Sequence, residues 1–407
     1  MSESPLSVDA ALANLLTAAV PISDHEACPA EVALGRVLAT PLVAEVTVPP
    51  LDNAAMDGYA LRVADWSADA WLTAWLPISQ RIPAGTLGGE LAPGTAARIF
   101  TGAPVPPGAD CVVMQEDCEA RDGKVRLTTA PRAGSHIRRA GEDIHAGQTV
   151  LEAGTRLGPA QLGVAASVGA TELGVVRRLK AAVFFTGDEI VLPGQPLAPG
   201  RIYNSNRATL IALLARMGIE IIDLGQVPDR LDATIATLEH AAQVADVVIT
   251  SGGVSVGEED HIKAAVEKLG RIEMWKVAMK PGKPLVYGRV GKADFLGLPG
   301  NPVSAFVVFC LFVHPFLLRR MGADAPPAAA FSVSAGFDWP GIGKAAGKRR
   351  EFLRARLEDG WAMLYPNQSS GVLTSLAWAD GLIDIEAGAS VENGDTVRFI
   401  PLSELLK

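Results

Sequence analysis

Three glycine-rich loops in the middle of the chain carry residues suited to binding an anion. They are TGDE at 186–189, TSGGVSVGEED at 250–260 and LPGNPVS at 298–304, and each follows an apolar run that predicts a buried strand. Glycine lets the backbone approach a ligand closely, and amide groups at a helix N-terminus favour negative charge. We interpret the loops as one anion-binding edge. The alternative is that the loops are ordinary turns and that the acidic residues at 258–260 interact favourably with the dipole of the following helix.

The second loop ends in Asp260, whose carboxylate could hold a hard cation or accept hydrogen bonds from a ligand. The backbone N–H groups freed by glycine, together with a helix N-terminus, suit an anion. The candidate substrate-binding residues of the three loops are Thr186, Gly187, Asp188, Ser251, Gly252, Gly253, Ser255, Pro299, Gly300, Asn301 and Pro302.

Two lysines lie in the run EMWKVAMK at 273–280. If this run is one strand, side-chain alternation puts Lys276 and Lys280 on the same face. Two ammonium groups on one face suit a polyanion such as a phosphate or an oxyanion. A solvated strand face is the alternative interpretation.

The elements around these loops alternate between strands and helices. KAAVFFT at 180–186 and DVVIT at 246–250 are predicted strands, and SNRATLIALLARMG at 205–218 is a predicted helix that stops at Gly218. Such alternation predicts a mostly parallel sheet with helices on its faces. Ligands bind outside the carboxyl ends of the strands in such sheets, which is where all three loops fall.

Composition changes along the chain predict a multidomain α/β plus all-β protein. A helix capped by Ser7 opens the first zone, short β-type runs fill the second, and the zone after the α/β region returns to short strands that fit a small barrel or sandwich. We predict a discontinuous helical domain at 1–50 and 147–176, an inserted β domain at 51–146, an α/β domain at 177–322 and a C-terminal β domain at 323–407.

Bulk properties exclude several classes of protein. A formal net charge of −9 argues against nucleic acid as a partner, and four dispersed cysteines indicate neither a thiolate metal site nor disulfides. The most apolar stretch, 303–318, is shorter than a membrane span and contains His314 and Pro315, so a buried helix is expected. No signal peptide is apparent, which predicts a cytoplasmic protein. The motifs of P-loop ATPases, zinc peptidases, serine hydrolases and dinucleotide-binding proteins are absent.

Eight stretches, taken in order, resemble the molybdopterin molybdenumtransferase family, which includes MoeA and the E domain of gephyrin. They are DNAAMDGYA, IFTGAPVPPGADCVVMQED, GEDIHAG, FFTGDEI, GRIYNSN, TSGGVSVGEEDH, KPGKPLVYG and LPGNPVSA. The resemblance implies a split helical domain, an inserted β domain, a three-layer α/β pterin-binding domain and a C-terminal β-barrel. It also implies an elongated homodimer with a shared cleft, and insertion of molybdate into adenylyl-molybdopterin with release of AMP and a need for Mg²⁺.

The resemblance also implies a set of site residues. The catalytic set implied is Asp57, Thr101, Asp143, Glu189, Asp229, Asp260, Lys276 and Lys280, with Asp260 and Glu189 as the metal ligands. The C-terminal stretches KRREF and NQSSG match less closely. They point to Arg349 and Ser370 as substrate-binding residues, with Arg350 as the alternative to Arg349.

Two other functions remain open at this point. A molybdopterin adenylyltransferase would account for TGDE and TSGGVS, although not for DNAAMDGYA or the C-terminal strands. A scaffold of the gephyrin type would not need an intact pocket. The expected partners are adenylyl-molybdopterin, molybdate, a second copy of the chain and, transiently, the adenylyltransferase and molybdoenzymes. No nucleic acid or membrane partner is expected.

Overall fold

The structure is a computed structural model that describes residues 5–67, 70–254, 261–340 and 349–407. Short strands dominate the first half of the chain. Its elements are α1 (Val8–Ala18), β1 (His25–Pro29), β2 (Leu42–Val43), β3 (Asn53–Ala54), β4 (Gly58–Leu61), β5 (Leu76–Ile82), β6 (Ala96–Ile99), β7 (Cys111–Met114), β8 (Cys118–Arg121), β9 (Lys124–Leu127), β10 (Ile137–Arg138), β11 (Thr149–Leu151), α2 (Pro159–Ser167) and β12 (Glu172–Val176).

Antiparallel pairing joins segments that are far apart in this half. Strand β1 pairs with β12 and β2 with β11, so the two segments lie side by side although strands β3–β10 separate them in sequence. Six of the intervening strands form one sheet in the order β7-β4-β6-β5-β9-β8. The domain boundaries given above stay a prediction.

The second half alternates strands and helices and then returns to strands. Its elements are β13 (Lys180–Thr186), β14 (Ile190–Val191), β15 (Ile202–Tyr203), α3 (Ser205–Arg216), β16 (Glu220–Val227), α4 (Leu231–Val244), β17 (Val247–Ser251), α5 (His261–Leu269), β18 (Gly270–Lys276), β19 (Met279–Lys280), β20 (Pro284–Val290), β21 (Ala293–Leu298), α6 (Pro302–Val308), α7 (His314–Arg320), β22 (Phe331–Ala335), β23 (Arg350–Glu358), β24 (Trp361–Leu364), α8 (Thr374–Trp378), β25 (Gly381–Ile385), β26 (Thr396–Pro401) and α9 (Leu402–Leu405).

The α/β unit has three layers around the sheet β16-β13-β17-β21-β20-β18. The first four strands are parallel, and β20 and β18 add antiparallel pairings at one edge. Strand β13 is apolar on both faces: Val183 and Phe185 join the core with α3, α6 and α7, whereas Ala182 and Phe184 join the core with α4 and α5. Burial on both faces is why this strand reads as a continuous apolar run.

Helix α1 packs against the α/β unit, because Val8, Ala11 and Leu15 are buried in the same core as α6 and α7. Its predicted cap is confirmed, since the Ser7 hydroxyl accepts a hydrogen bond from the Ala10 amide at 3.2 Å. The expected buried helix is also confirmed. Residues 302–320 form, in the described ranges, the one helix long and apolar enough to span a membrane, and 72% of its apolar window is buried in the protein.

The C-terminal strands close into a five-stranded barrel, because β23 pairs with both β24 and β25 while β22 and β26 complete the ring. The predicted multidomain α/β plus all-β fold class is therefore confirmed. Strand β19 extends this barrel sheet from the α/β unit through parallel pairing with β23.

The prediction that EMWKVAMK is one strand is wrong. Strand β18 ends at Lys276, and β19 begins at Met279 in a different sheet. Between them the Ala278 amide donates to the Leu6 carbonyl at 2.7 Å, and the Ala278 carbonyl accepts from the Arg350 amide at 3.0 Å. Pairing with distant segments therefore overrides the local strand pattern, and Lys276 and Lys280 do not share a strand face.

Candidate active site between the α/β unit and the barrel

A pocket of about 1240 Å³ opens at the carboxyl ends of β13, β17 and β21. The loops after these strands form its floor, and the loop before α8 of the barrel forms one wall. The sequence-predicted residues that line it are Thr186, Gly187, Glu189, Asp229, Ser251, Gly252, Gly253, Lys280, Pro299, Gly300, Asn301, Pro302, Arg349 and Ser370. The three glycine-rich loops thus meet at one edge, as the parallel topology requires.

Side-chain hydrogen bonds join the floor loops to each other. The Ser251 hydroxyl donates to the Pro299 carbonyl at 2.9 Å. The Asn206 amide donates both to the Ser251 Oγ at 2.7 Å and to the Gly300 carbonyl at 2.8 Å. Two loops and the first turn of α3 are therefore held together before any ligand binds.

Glycine is required where the second loop crosses the first. Gly252 has φ of +99° and Gly253 has φ of +63°, which are left-handed conformations that other residues rarely adopt. A β-carbon at Gly252 would lie 2.7 Å from the Thr186 carbonyl oxygen. The close crossing brings the backbone of both loops to the pocket surface.

Two buried polar side chains at the pocket lack hydrogen-bond partners within the described part of the chain. They are the Thr186 hydroxyl and the Asn204 side-chain NH₂ group, in residues that are 4% and 5% exposed. The side-chain Oδ1 of Asn204 already caps the N-terminus of α3, where it accepts a hydrogen bond from the Arg207 amide at 3.0 Å. Buried polar groups are normally paired, so these two groups are available to a polar ligand.

Cations from two structural units reach the pocket. Lys280 and Lys283 come from the α/β unit, and Arg349 comes from the start of the barrel. The Lys280 ammonium lies 3.7 Å from the carboxylate of Glu351, which is 5% exposed. Lys280, Lys283 and Arg349 are thus the basic side chains that an anionic ligand needs.

The choice between the two arginines of KRREF follows from their contacts. Arg350 donates to both carboxylate oxygens of Asp384 at 2.6 Å and also pairs with Asp9 at 3.0 Å. The hydrogen bonds to Asp384 raise the pKa of Arg350. Arg349, in contrast, lines the pocket. Arg350 therefore joins the barrel to α1, and Arg349 is the arginine positioned for a ligand.

Several predicted residues do not line this pocket. Lys276 and Asp188 are outside its lining, and Asp57, Thr101 and Asp143 belong to the segment that contains strands β3–β10. Asp57 and Thr101 nevertheless contact each other, since the Asp57 carboxylate accepts from the Thr101 amide at 2.8 Å and hydroxyl at 2.7 Å. These hydrogen bonds, the amide contribution first, lower the pKa of Asp57. Two further predicted residues, Ser255 and Asp260, lie outside the described residues.

Other lining residues were not predicted. Asn204 and Asn206 lie at the start of α3, and Gln368 and Ser369 lie beside Ser370. The signal for the first pair was available in NSN, a polar run with an N-cap residue directly before a helix. No local pattern marks the second pair, because only the docking of the barrel brings that loop to the pocket.

Family models match three regions of the chain. Residues 6–169 match the MoeA N-terminal region (domain I and II), residues 182–319 match a probable molybdopterin binding domain, and residues 343–402 match the MoeA C-terminal region (domain IV). A molybdopterin molybdenumtransferase 2 of Mycobacterium tuberculosis is 40% identical over 92% of this chain and 93% of its own. A molybdopterin molybdenumtransferase of Haemophilus influenzae is 43% identical over 71% of each chain.

Solved structures agree with the fold. A molybdopterin biosynthesis MoeA protein of Pyrococcus horikoshii superimposes with a TM-score of 0.81 at 28% identity, covering 98% of this chain and 100% of the other. A second crystal structure with a similar title has a TM-score of 0.77 at 32% identity, over 98% and 99% of the chains. On this identity and coverage, the chain belongs to the MoeA family of molybdopterin molybdenumtransferases.

Proposed function

We propose that this protein is a molybdopterin molybdenumtransferase that inserts molybdate into adenylyl-molybdopterin, forming molybdenum cofactor and releasing AMP. The observation that carries the proposal is the pocket itself, where Lys280, Lys283 and Arg349 surround glycine-rich loops at the carboxyl edge of a parallel sheet. Molybdate and the pterin phosphates are anions that such a pocket attracts and orients. Full-length relatives named for this activity support the assignment.

The chemistry needs little covalent participation by the protein. The two sulfur ligands of molybdenum come from the dithiolene of the pterin, which agrees with the dispersed cysteines of this chain. Oxo groups of molybdate leave as water once they are protonated, so a nearby acid assists the exchange. Glu189 and Asp229 line the pocket and supply carboxyl groups for that proton transfer.

Mg²⁺ is proposed as the cofactor. The described ranges contain no group of three or more His, Cys, Asp or Glu side chains arranged to hold a metal. Mg²⁺ often binds through one or two carboxylates together with substrate phosphates, and this donor chemistry fits the acidic pocket residues. Glu189 would hold the ion at the pocket, and Asp260 is the second ligand proposed. When bound, Mg²⁺ neutralises phosphate charge.

We further propose that the protein acts as a homodimer with a cleft shared between subunits. Asp57 and Thr101 form a hydrogen-bonded pair in a segment that has no described residue in the pocket lining of its own chain. A partner subunit could bring that pair to the pocket. Exposed apolar side chains in the same part of the chain support such an interface, namely Val43, Val46, Leu51 and Met56.

Incubation with adenylyl-molybdopterin and molybdate tests the function, with AMP release and pterin-bound molybdenum measured on one sample. We expect both products in equal amounts. In a separate incubation with molybdopterin and ATP, formation of pyrophosphate and adenylyl-molybdopterin would instead indicate the adenylyltransferase. Tight binding of adenylyl-molybdopterin without turnover would indicate a scaffold. Either result contradicts the proposal.

Mixing two variants of reduced activity tests the shared cleft. Asp57→Ala and Lys280→Ala subunits change opposite sides of the proposed cleft, so a mixed dimer would retain one intact site. At a substrate concentration that limits the Lys280→Ala variant, we expect the mixture to be more active than either parent. Absence of recovery, with mixed dimers demonstrated by mass spectrometry, would show that each cleft belongs to a single chain.

A further inference from the structure

Behind the barrel wall of the pocket lies an arginine with an unusual environment. Arg354 is on β23 and its side chain is completely buried, with 0% exposure. Within the described ranges its guanidinium has no carboxylate partner, and its Nη1 atom has no hydrogen-bond partner. Burial lowers the pKa of Arg354 to about 10. Burying an unpaired charge is costly, so a folded protein that keeps one needs a compensating interaction.

The hydrogen bonds of the Arg354 guanidinium lead to the pocket wall. Its Nη2 donates to the Ser369 carbonyl at 3.1 Å, and its Nε donates to the Ser375 hydroxyl at 3.1 Å. Its backbone amide and carbonyl pair with the Gln368 side chain at 2.9 Å each. The guanidinium therefore fixes both ends of the segment 369–375, which we call the wall segment.

The wall segment contacts both the ligand space and the α/β unit. Ser369, Ser370 and Gly371 line the pocket. The Ser370 carbonyl also accepts a hydrogen bond from the Val303 amide, at 3.1 Å, in the first turn of α6. A charge that holds this segment thus controls where Ser370 stands relative to the glycine-rich loops.

We propose that Arg354 is a positioning residue for the anionic ligand: it holds the wall segment in place and supplies, from behind that segment, a positive charge that an anion in the pocket compensates. Arg354 is completely buried, so water screens its charge only weakly. The inference rests on the proposed function for the identity of the ligand, although the effect on anion binding applies to any phosphate-bearing ligand. Arg354 is not among the residues that line the pocket, so its removal is expected to alter affinity through the wall segment.

Calorimetric binding of AMP and of molybdate, measured separately, tests the inference in Arg354→Met and Arg354→Lys. Met keeps the length without the charge, whereas Lys keeps the charge without the planar fork. We expect roughly tenfold weaker binding of either anion by the Met variant, the order of one partly screened charge, and partial recovery by the Lys variant. Arg356→Met is the matched control, because Arg356 is on the same strand, donates to the Trp378 carbonyl at 3.1 Å and lies outside the pocket lining.

Hydrogen exchange on the unaltered protein gives a second readout that needs no variant. AMP should slow exchange of the amides at 369–375 if the anion and Arg354 act on the same segment. A purely structural residue would lower the melting temperature of the Met variant while its folded fraction bound both anions normally. That outcome, or an unchanged exchange rate on AMP binding, overturns the inference. Failure of AMP release from adenylyl-molybdopterin, with the affinity change intact, would instead contradict only the proposed function.

Discussion

Acidification should destabilise the α/β unit through one buried histidine. His314 begins α7 and is 6% exposed, and its Nε2 has no hydrogen-bond partner in the part of the chain that the structure describes. Burial first, and then the nearby charges of Arg156 and Arg216, lower the pKa of His314 from 6.5 to about 4. The folded protein therefore keeps this ring neutral at a pH where the unfolded chain has already bound a proton.

The sign and size of the effect follow from linkage between protonation and folding. Because the folded pKa is the lower one, stability is complete above the unfolded value of 6.5 and falls as the pH decreases toward 4. At about pH 5 the unfolded chain binds a proton at His314 and the folded protein does not. This difference lowers the free energy of unfolding by ~2 kcal/mol relative to neutral pH. The full difference, reached below the folded pKa, is about 3 kcal/mol.

Urea unfolding at a series of pH values measures this contribution in the unaltered protein and in His314→Gln. The informative quantity is the change of stability with pH, because the substitution also alters packing at every pH. We expect the variant to lose about 2 kcal/mol less than the unaltered protein between neutral pH and about pH 5. His240→Gln, at an exposed position on α4, is the matched control and should behave like the unaltered protein. Equal pH dependence in all three proteins would refute the reasoning.

Three further predictions concern the pocket. Lys280→Ala should weaken substrate binding about tenfold in low salt and less in high salt, because salt screens the lost attraction; calorimetry at two ionic strengths checks this. Gly252→Ala places a methyl group against the Thr186 carbonyl, and the alanine would have to adopt the positive φ of Gly252. We therefore expect thermal unfolding to show a stability lower by ~1–3 kcal/mol, together with weaker substrate binding. Asp260→Asn should bind adenylyl-molybdopterin but release AMP slowly, with partial rescue by excess Mg²⁺; normal turnover with a lower melting temperature would make Asp260 a helix-end charge only.

The α/β unit was the most predictable part of the chain, because its signals are local. Strand β13 was predicted at the residues where it occurs, and α3 ends at Arg216, two residues before the predicted stop at Gly218, which has φ of +75°. The glycine-rich loops follow directly from that alternation, since parallel strands bring their carboxyl ends to one edge. The family resemblance, not local physics, pointed to Asp57 and Thr101.

What could not be predicted depends on contacts between distant segments. The break between Lys276 and Lys280 arises because β19 pairs with β23, about seventy residues later, and no pattern within EMWKVAMK announces that partner. The choice of Arg349 over Arg350 also depends on a distant segment, because Arg350 forms an ion pair with Asp384 on β25. Local sequence therefore located the pocket floor, whereas separating Lys276 from Lys280 and choosing between the two arginines required tertiary structure.

The pairing of the barrel with the α/β unit also explains the positions of Lys280 and Arg354. Parallel pairing of β19 with β23 sets Lys280 opposite Glu351 in register, and their charged groups lie 3.7 Å apart. The same strand carries Arg354 to the back of the wall segment, whose Ser370 carbonyl in turn contacts α6. Strand β23 thus joins the two units, with Glu351 beside Lys280 and Arg354 behind the wall segment. Loosening β23 would consequently disturb Lys280 and Ser370 together, although they belong to different units and are ninety residues apart in sequence.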